Sequence, residues 1–213
     1  MTSRPRAIPA VASVLLIGLL TVAGCTSPEP PSVTPSPIAG APSGTASSGA
    51  PTVGFSTYPA DRAPVLPVLT GADLAGSTLT VPTAGVAVTV VNVWASWCRP
   101  CVIEMPKLRS VAARFAADDV VVRGIATRDN TTAATSFLSA TGFDLPSLAD
   151  PNGANAARWS AFVPAAAVPS TLLVDSAGRI RARWIGPVDQ TRLGDEICAT
   201  LLAEKSPAAS CPG

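Results

Sequence analysis

Histidine is absent from all 213 residues of this chain. Mixed cysteine–histidine zinc sites, Ser-His and Cys-His nucleophile pairs and histidine general bases are therefore excluded. Charge is scarce as well. The formal net charge is +1 and no basic cluster stands out, which argues against nucleic acid as a partner. From residue 26 to about residue 60 the only charge is Glu29, large apolar side chains are few, and prolines at 28, 30, 31, 35, 37, 42 and 51 prevent regular structure. Such a Ser/Thr/Pro/Gly/Ala-rich stretch cannot bury enough apolar surface to offset the entropy of ordering it. No internal repeat is visible.

Five cysteines are present, and two of them form the tetrad Cys98-Arg99-Pro100-Cys101, preceded by Trp97. It follows a long apolar strand-like run and leads into a helical pattern. At a helix start one thiolate can face water and the orphan backbone N–H groups while its partner waits one turn in, a reversible dithiol/disulfide switch. The same tetrad also fits half of a zinc site or an inert staple. A zinc site from Cys98, Cys101, Cys198 and Cys211 is formally open, but the second pair lacks CxxC spacing, so no metal is assigned.

The first 24 residues read as an export signal. Arg4 and Arg6 form a short basic region, Val11 to Val22 is interrupted mainly by Ser13, Gly18 and Thr21, and the run ends at Val22-Ala23-Gly24-Cys25. The apolar run is shorter than the roughly 20 residues that cross a membrane comfortably; an uncleaved signal anchor is the alternative. The closing tetrapeptide resembles the bacterial lipobox, which implies cleavage, acylation of Cys25 and a lipid anchor on the extracytoplasmic face of the cell membrane. Lipidation of Cys25 leaves two cysteine pairs, as expected where disulfides persist. Residues 25–60 are then a flexible tether, on the order of 30 Å long as a random coil. Residues 61–213 are expected to form one domain.

Within that domain, Leu66 to Val81 holds two short strand-like runs around Gly71 and Gly76, a candidate hairpin. Val86 to Trp94 is nearly all β-branched or apolar, as in a strand covered on both faces, and Val120 to Ala126 is a second such strand. After the tetrad, Met105, Leu108, Ala112 and Phe115 fall at helical spacing, with Pro106 expected to kink the helix. Asn130 can cap a helix carrying Phe137 and Leu138 that stops at Gly142. Asp150-Pro151-Asn152-Gly153 turns into a short helix with Trp159 and Phe162. Ser170 to Val174 and Arg179 to Ile185 are strands joined by a turn, and Asp189 to Leu202 closes as a helix with Leu193, Ile197 and Leu201 on one face. The order β-β-β-α-β-α-α-β-β-α predicts an α/β fold with a mixed central sheet and helices on both faces.

Val93-Trp94-Ala95-Ser96-Trp97-Cys98-Arg99-Pro100-Cys101-Val102-Ile103-Glu104-Met105-Pro106 resembles the thioredoxin superfamily. More narrowly it is similar to the TlpA/ResA-like extracytoplasmic thiol-disulfide oxidoreductases and their WASWCxPCxxExP pattern. Ala167-Val168-Pro169-Ser170-Thr171-Leu172-Leu173-Val174-Asp175 is similar to the segment holding that family's cis-proline. The resemblance covers roughly residues 62 to 203 and implies a thioredoxin-like fold with an N-terminal hairpin and a central helical insertion. Val102 and Ile103 depart from it, being apolar where charged residues are frequent. Alanines at 165–167 replace the more usual glycine before the proline.

The resemblance implies roles for single residues. Cys98 attacks a substrate disulfide, its thiolate stabilised by the helix N-terminus, and Cys101 resolves the mixed disulfide. Glu104 accepts the resolving thiol's proton. Pro169, if cis, offers backbone without an N–H against which substrate can pair. Trp97, Arg99, Pro100 and Val168 are the candidate substrate contacts, with Arg99 either stabilising the thiolate or screened by solvent and Pro100 setting a helical φ. Trp94, Trp159 and Trp184 are read mainly as packing. Cys198 and Cys211 are expected to form a structural disulfide contributing about 3 kcal/mol in the chain-entropy model. No organic cofactor is expected, because the cysteine pair is itself the redox group.

The expected protein is a membrane-tethered reductase of protein disulfides, acting as a monomer. The resemblance implies apocytochrome c as substrate, in cytochrome c maturation, and a membrane thiol transporter as electron donor. A disulfide-forming oxidase of the same fold is the alternative, because direction depends on relative potentials that residues alone do not fix. A non-catalytic binding module or metal chaperone is disfavoured, since copper-delivery relatives typically need a histidine and a CxxxC pair.

Overall fold

The apolar run that precedes the tetrad forms a strand in which all seven residues are buried, and the rest of the domain is layered on it. The computed structural model describes residues 53–206 and 210–211. The export signal, Cys25 and most of the expected tether lie outside the described residues. In chain order the elements are β1 (Gly54–Thr57), β2 (Leu69–Ala72), β3 (Thr78–Val81), β4 (Val88–Trp94), α1 (Arg99–Arg114), β5 (Val120–Thr127), α2 (Thr131–Thr141), β6 (Ser147–Asp150), α3 (Ala154–Ala157), β7 (Ser170–Asp175), β8 (Ile180–Ile185) and α4 (Gln190–Ala203).

Six strands make one mixed sheet in the order β1-β8-β7-β4-β5-β6, and β2-β3 is a separate hairpin. β4, β5 and β6 run parallel, while β7, β8 and β1 continue the sheet through antiparallel pairs. Side chains alternate between the two faces of β4. Val88, Val90 and Trp94 join a core with Met105, Leu108 and Phe115 of the α1 segment and Leu193, Ile197 and Leu201 of α4. Val91 and Val93 join a second core with Leu66, Leu69 and Trp159. Helices flank both faces unequally: α1, α2 and α4 supply the first core, the hairpin and short α3 the second.

Local chemistry accounts for the helix ends. The Asn130 side chain accepts the Ala133 N–H at 2.7 Å at the start of α2, and Gly142 ends it at φ 61°, a left-handed conformation that costs glycine little. Asp189 caps α4 by accepting the Arg192 N–H at 2.8 Å. α1 runs through Pro106 without ending there. Gly124 of β5 marks a close approach. A Cβ there would lie 2.6 Å from Trp94 Nε1, which passes over it to donate to Ser147 Oγ at 3.2 Å.

Two strands are additional to those expected from the residues. β1 falls inside residues 25–60, which composition assigns to the tether. It is four residues of edge strand paired to β8, with the Phe55 ring 4.9 Å from that of Trp184, so a long-range partner makes it a strand. β6 is equally short and is fixed by parallel pairing to β5. The expected short helix with Trp159 and Phe162 is confined to Ala154–Ala157. Trp159 lies beyond it, fully buried, donating its indole N–H to Pro67 O at 2.7 Å. Cys198 of α4 is disulfide-bonded to Cys211, and Arg114 and Ser210 exchange two hydrogen bonds that hold the tail to the end of α1.

Candidate active site

The register of the sheet brings two distant segments together. Val93 of β4 pairs with Ser170 of β7 in antiparallel sense, so the chain leaving β4 toward the tetrad and the chain entering β7 from Val168-Pro169 lie at the same end of the sheet. The Val168–Pro169 peptide is cis, and Pro169 O accepts the Gly186 N–H at 2.9 Å. Val168 packs against the core that contains both cysteines.

Cys98 is the N-cap of α1, and its Sγ accepts the Cys101 N–H at 3.2 Å. The two cysteines are joined as a disulfide. Cys98 is 3% exposed and Cys101 fully buried, so Cys98 is the accessible sulfur by a small margin and faces water less than expected. An N–H aimed at Cys98 Sγ from the first turn of a helix is the donor geometry that favours a thiolate once the disulfide opens. Pro100 occupies the first turn, where its missing N–H costs no helical bond. Arg99, Pro100, Val102 and Ile103 are exposed, as is Trp97 at 55%.

Glu104 lies one turn on from Cys101, on the same side of the helix. It is completely buried. Its Oε1 accepts the Val188 N–H at 3.1 Å and the Thr171 hydroxyl at 3.3 Å, and Thr171 Oγ1 in turn accepts from Asn92 Nδ2 at 3.0 Å. Because Asn92 donates to Thr171, the hydroxyl proton of Thr171 is directed at the carboxyl. Oε2 has no hydrogen-bond partner among the described residues. Burial raises the Glu104 pKa from the usual 4.5 to about 7, against the opposing pull of the Val188 N–H, the Asn92 and Thr171 side chains and the Lys107 charge. A carboxyl poised near neutrality beside a dithiol can take and return a proton at working pH.

A second set of contacts holds the loop ahead of Cys98. Asp129, just beyond β5, accepts both the Ser96 N–H and the Ser96 hydroxyl. The Trp97 indole N–H donates to Arg128 O at 3.0 Å, and the Arg128 guanidinium carbon lies 5.6 Å from the Trp97 ring centre.

Cys98, Cys101, Glu104, Trp97, Arg99, Pro100, Val168 and Pro169 are thus arranged around one end of the sheet. Cys198 and Cys211 are paired with each other elsewhere on α4 and the tail, so the four cysteines among the described residues form two disulfides. Asn92, Thr171, Val188, Arg128 and Asp129 were not singled out from sequence. The amide of Asn92 inside a largely apolar buried strand was a usable signal for the first two. Val188 acts through its backbone, and Arg128 and Asp129 approach the tetrad only through the fold.

The redoxin family profile matches residues 45–198. The chain belongs to the redoxin family. It is a thioredoxin-superfamily protein. Among its relatives, the thiol:disulfide interchange protein DsbE homolog of Paracoccus denitrificans is 40% identical over 102 residues, covering 47% of this chain and 52% of that protein. The thiol:disulfide interchange protein CycY of Rhizobium leguminosarum bv. viciae is 31% identical over 143 residues, covering 67% of this chain and 68% of that protein. The chain spans about half the length of curated relatives such as the Paracoccus protein. A secreted thiol-disulfide isomerase from Corynebacterium glutamicum superimposes with a TM-score of 0.64 at 27% identity, covering 69% of this chain and 91% of that one. A DsbF homologue from Corynebacterium diphtheriae gives 0.63 at 27% identity, covering 68% and 92%. Among the described residues no helix is long and apolar enough to cross a membrane.

The buried redoxin carboxyl has a measurable consequence. Folded protein holds the Glu104 proton up to about pH 7, whereas the unfolded chain releases it near 4.5, so the folded state binds more protons in that window. Stability is therefore highest below pH 4.5 with respect to this group and falls as pH rises to 7, by on the order of 3 kcal/mol. Urea unfolding of the oxidised protein across that range should show the fall, and Glu104→Gln should remove it. Parallel pH profiles for the two proteins would show that Glu104 does not titrate in this window.

Proposed function

We propose that the chain is an extracytoplasmic, membrane-tethered reductase of protein disulfides. The observation that carries this reading is the fully buried Glu104 of α1, bonded to β7 and to the turn before α4 behind a cysteine pair at the start of the helix. An inert disulfide staple has no need of a buried carboxyl, which is costly to bury.

The chemistry balances with these residues alone. The Cys98 thiolate attacks one sulfur of a substrate disulfide, forming a mixed disulfide and releasing the other substrate sulfur as a thiolate. Cys101 passes its proton toward the Glu104 carboxylate and attacks Cys98 Sγ, which expels the remaining substrate thiolate. Two electrons have moved to the substrate, and the chain ends with Cys98 and Cys101 oxidised. A dithiol donor must then reduce that disulfide. Trp97, Arg99, Pro100, Val168 and Pro169 border the entering substrate chain, and Cys198–Cys211 serves as a structural staple. Resemblance to the cytochrome c maturation branch supports apocytochrome c as substrate and a membrane thiol protein as donor. The lipobox-like segment supports attachment through Cys25, with the domain acting as a monomer.

An insulin-reduction assay tests the reading. The wild type should catalyse reduction, Cys98→Ser should be inert, and Cys101→Ser should accumulate a mixed disulfide through Cys98. Retained activity in Cys98→Ser would overturn it. In cells, wild-type protein should partition with detergent and Cys25→Ala with water; equal partitioning would remove the lipid anchor from the proposal.

A further inference from the structure

We propose that Arg128 is a specificity residue whose guanidinium favours substrates carrying a carboxylate next to the reacting disulfide. The inference rests on the disulfide-exchange reading above. Trp97 adjoins Cys98 in the chain and exposes its ring, a surface open to a substrate joined to Cys98. Arg128 is exposed, and its guanidinium stands beside that ring. The nearby acids are already engaged. Asp129 is buried and accepts twice from Ser96, Glu104 is buried and accepts from Val188 and Thr171, and Asp189 caps α4. Neither carboxylate ion pair found among the described residues involves Arg128 or Arg99. The exposed charge bordering Trp97 is therefore positive.

The backbone of Arg128 shows that its place is imposed. Its φ is 51°, a left-handed conformation unfavourable for a side chain with a Cβ. Three contacts hold it there. Its N–H donates to Asp150 O at 2.7 Å, and its carbonyl accepts the Trp97 indole N–H. Its Cγ occupies space that a Cβ on Gly153 would invade at 2.9 Å. Asp150 is itself buried and bonded to Thr127 and to the Asn155 and Ala156 N–H groups. The connections after β5 and β6 thus hold a cation beside Trp97, the residue that precedes Cys98. A planar guanidinium matches a carboxylate with two parallel N–H donors, which makes an acidic side chain flanking the substrate cysteine the fitting partner.

Two disulfide-linked peptides differing only in Asp or Asn beside the cysteine test this with the purified full chain. The ratio of their kcat/KM values should favour the Asp peptide by about threefold to fivefold at low ionic strength and shrink as salt screens the pair. Arg128→Asn, chosen because asparagine tolerates the left-handed backbone, should bring the ratio to one. A structural role alone would slow both peptides alike and leave the ratio intact, which would overturn the inference. Equal rates on both peptides in the wild type would overturn it too. Absence of exchange with either peptide would defeat the disulfide-exchange reading itself, and this inference with it.

Discussion

Placing an ionisable carboxyl in an apolar core costs several kcal/mol unless it is hydrogen-bonded or kept neutral. Glu104 uses both remedies, and the arrangement of the site follows from them. Its bonds to Thr171 and Val188, with Asn92 behind Thr171, tie α1 to β7, to β4 and to the turn before α4. Lys107, also on α1, reinforces the tie by donating to Val188 O at 3.2 Å. Four chain segments that are remote in sequence therefore meet at one carboxyl, one helical turn from the resolving cysteine.

The tie is possible because of how β4 and β7 are registered. Asn92 and Thr171 are directly paired across the antiparallel ladder and point to the face that carries α1. The same register sets Pro169 level with the exit of β4, so substrate-facing backbone, nucleophile and proton acceptor are placed by a single strand pairing. Slipping β7 by one residue against β4 would turn Thr171 to the opposite core and remove its hydroxyl from Glu104.

Much of this was legible in the residues. β4, β5, β7, β8 and α4 follow from long apolar runs or helical spacing, and the cap at Asn130 follows from side-chain chemistry. β1 was not legible, because Gly54–Thr57 becomes a strand only through β8 and lies in a segment whose composition argues against order. β6 depends in the same way on β5. The cysteine pair, Glu104 and Pro169 were visible as a motif, but the partners of Glu104 were not. Thr171 and Val188 reach it by tertiary placement, and Val188 contributes only a backbone N–H that any residue but proline could supply. Arg128 was likewise invisible, since its position beside Trp97 is created by the connections after β5 and β6.

The reduction potential of the Cys98–Cys101 pair tests the central claim most directly. It is obtained by equilibrating the protein with thiol buffers of known poise and reading the two free thiols. A reversible two-electron couple at about −200 mV or below is expected of a reductase. A pair that does not exchange, or a potential at the oxidising end near about −120 mV, would contradict it.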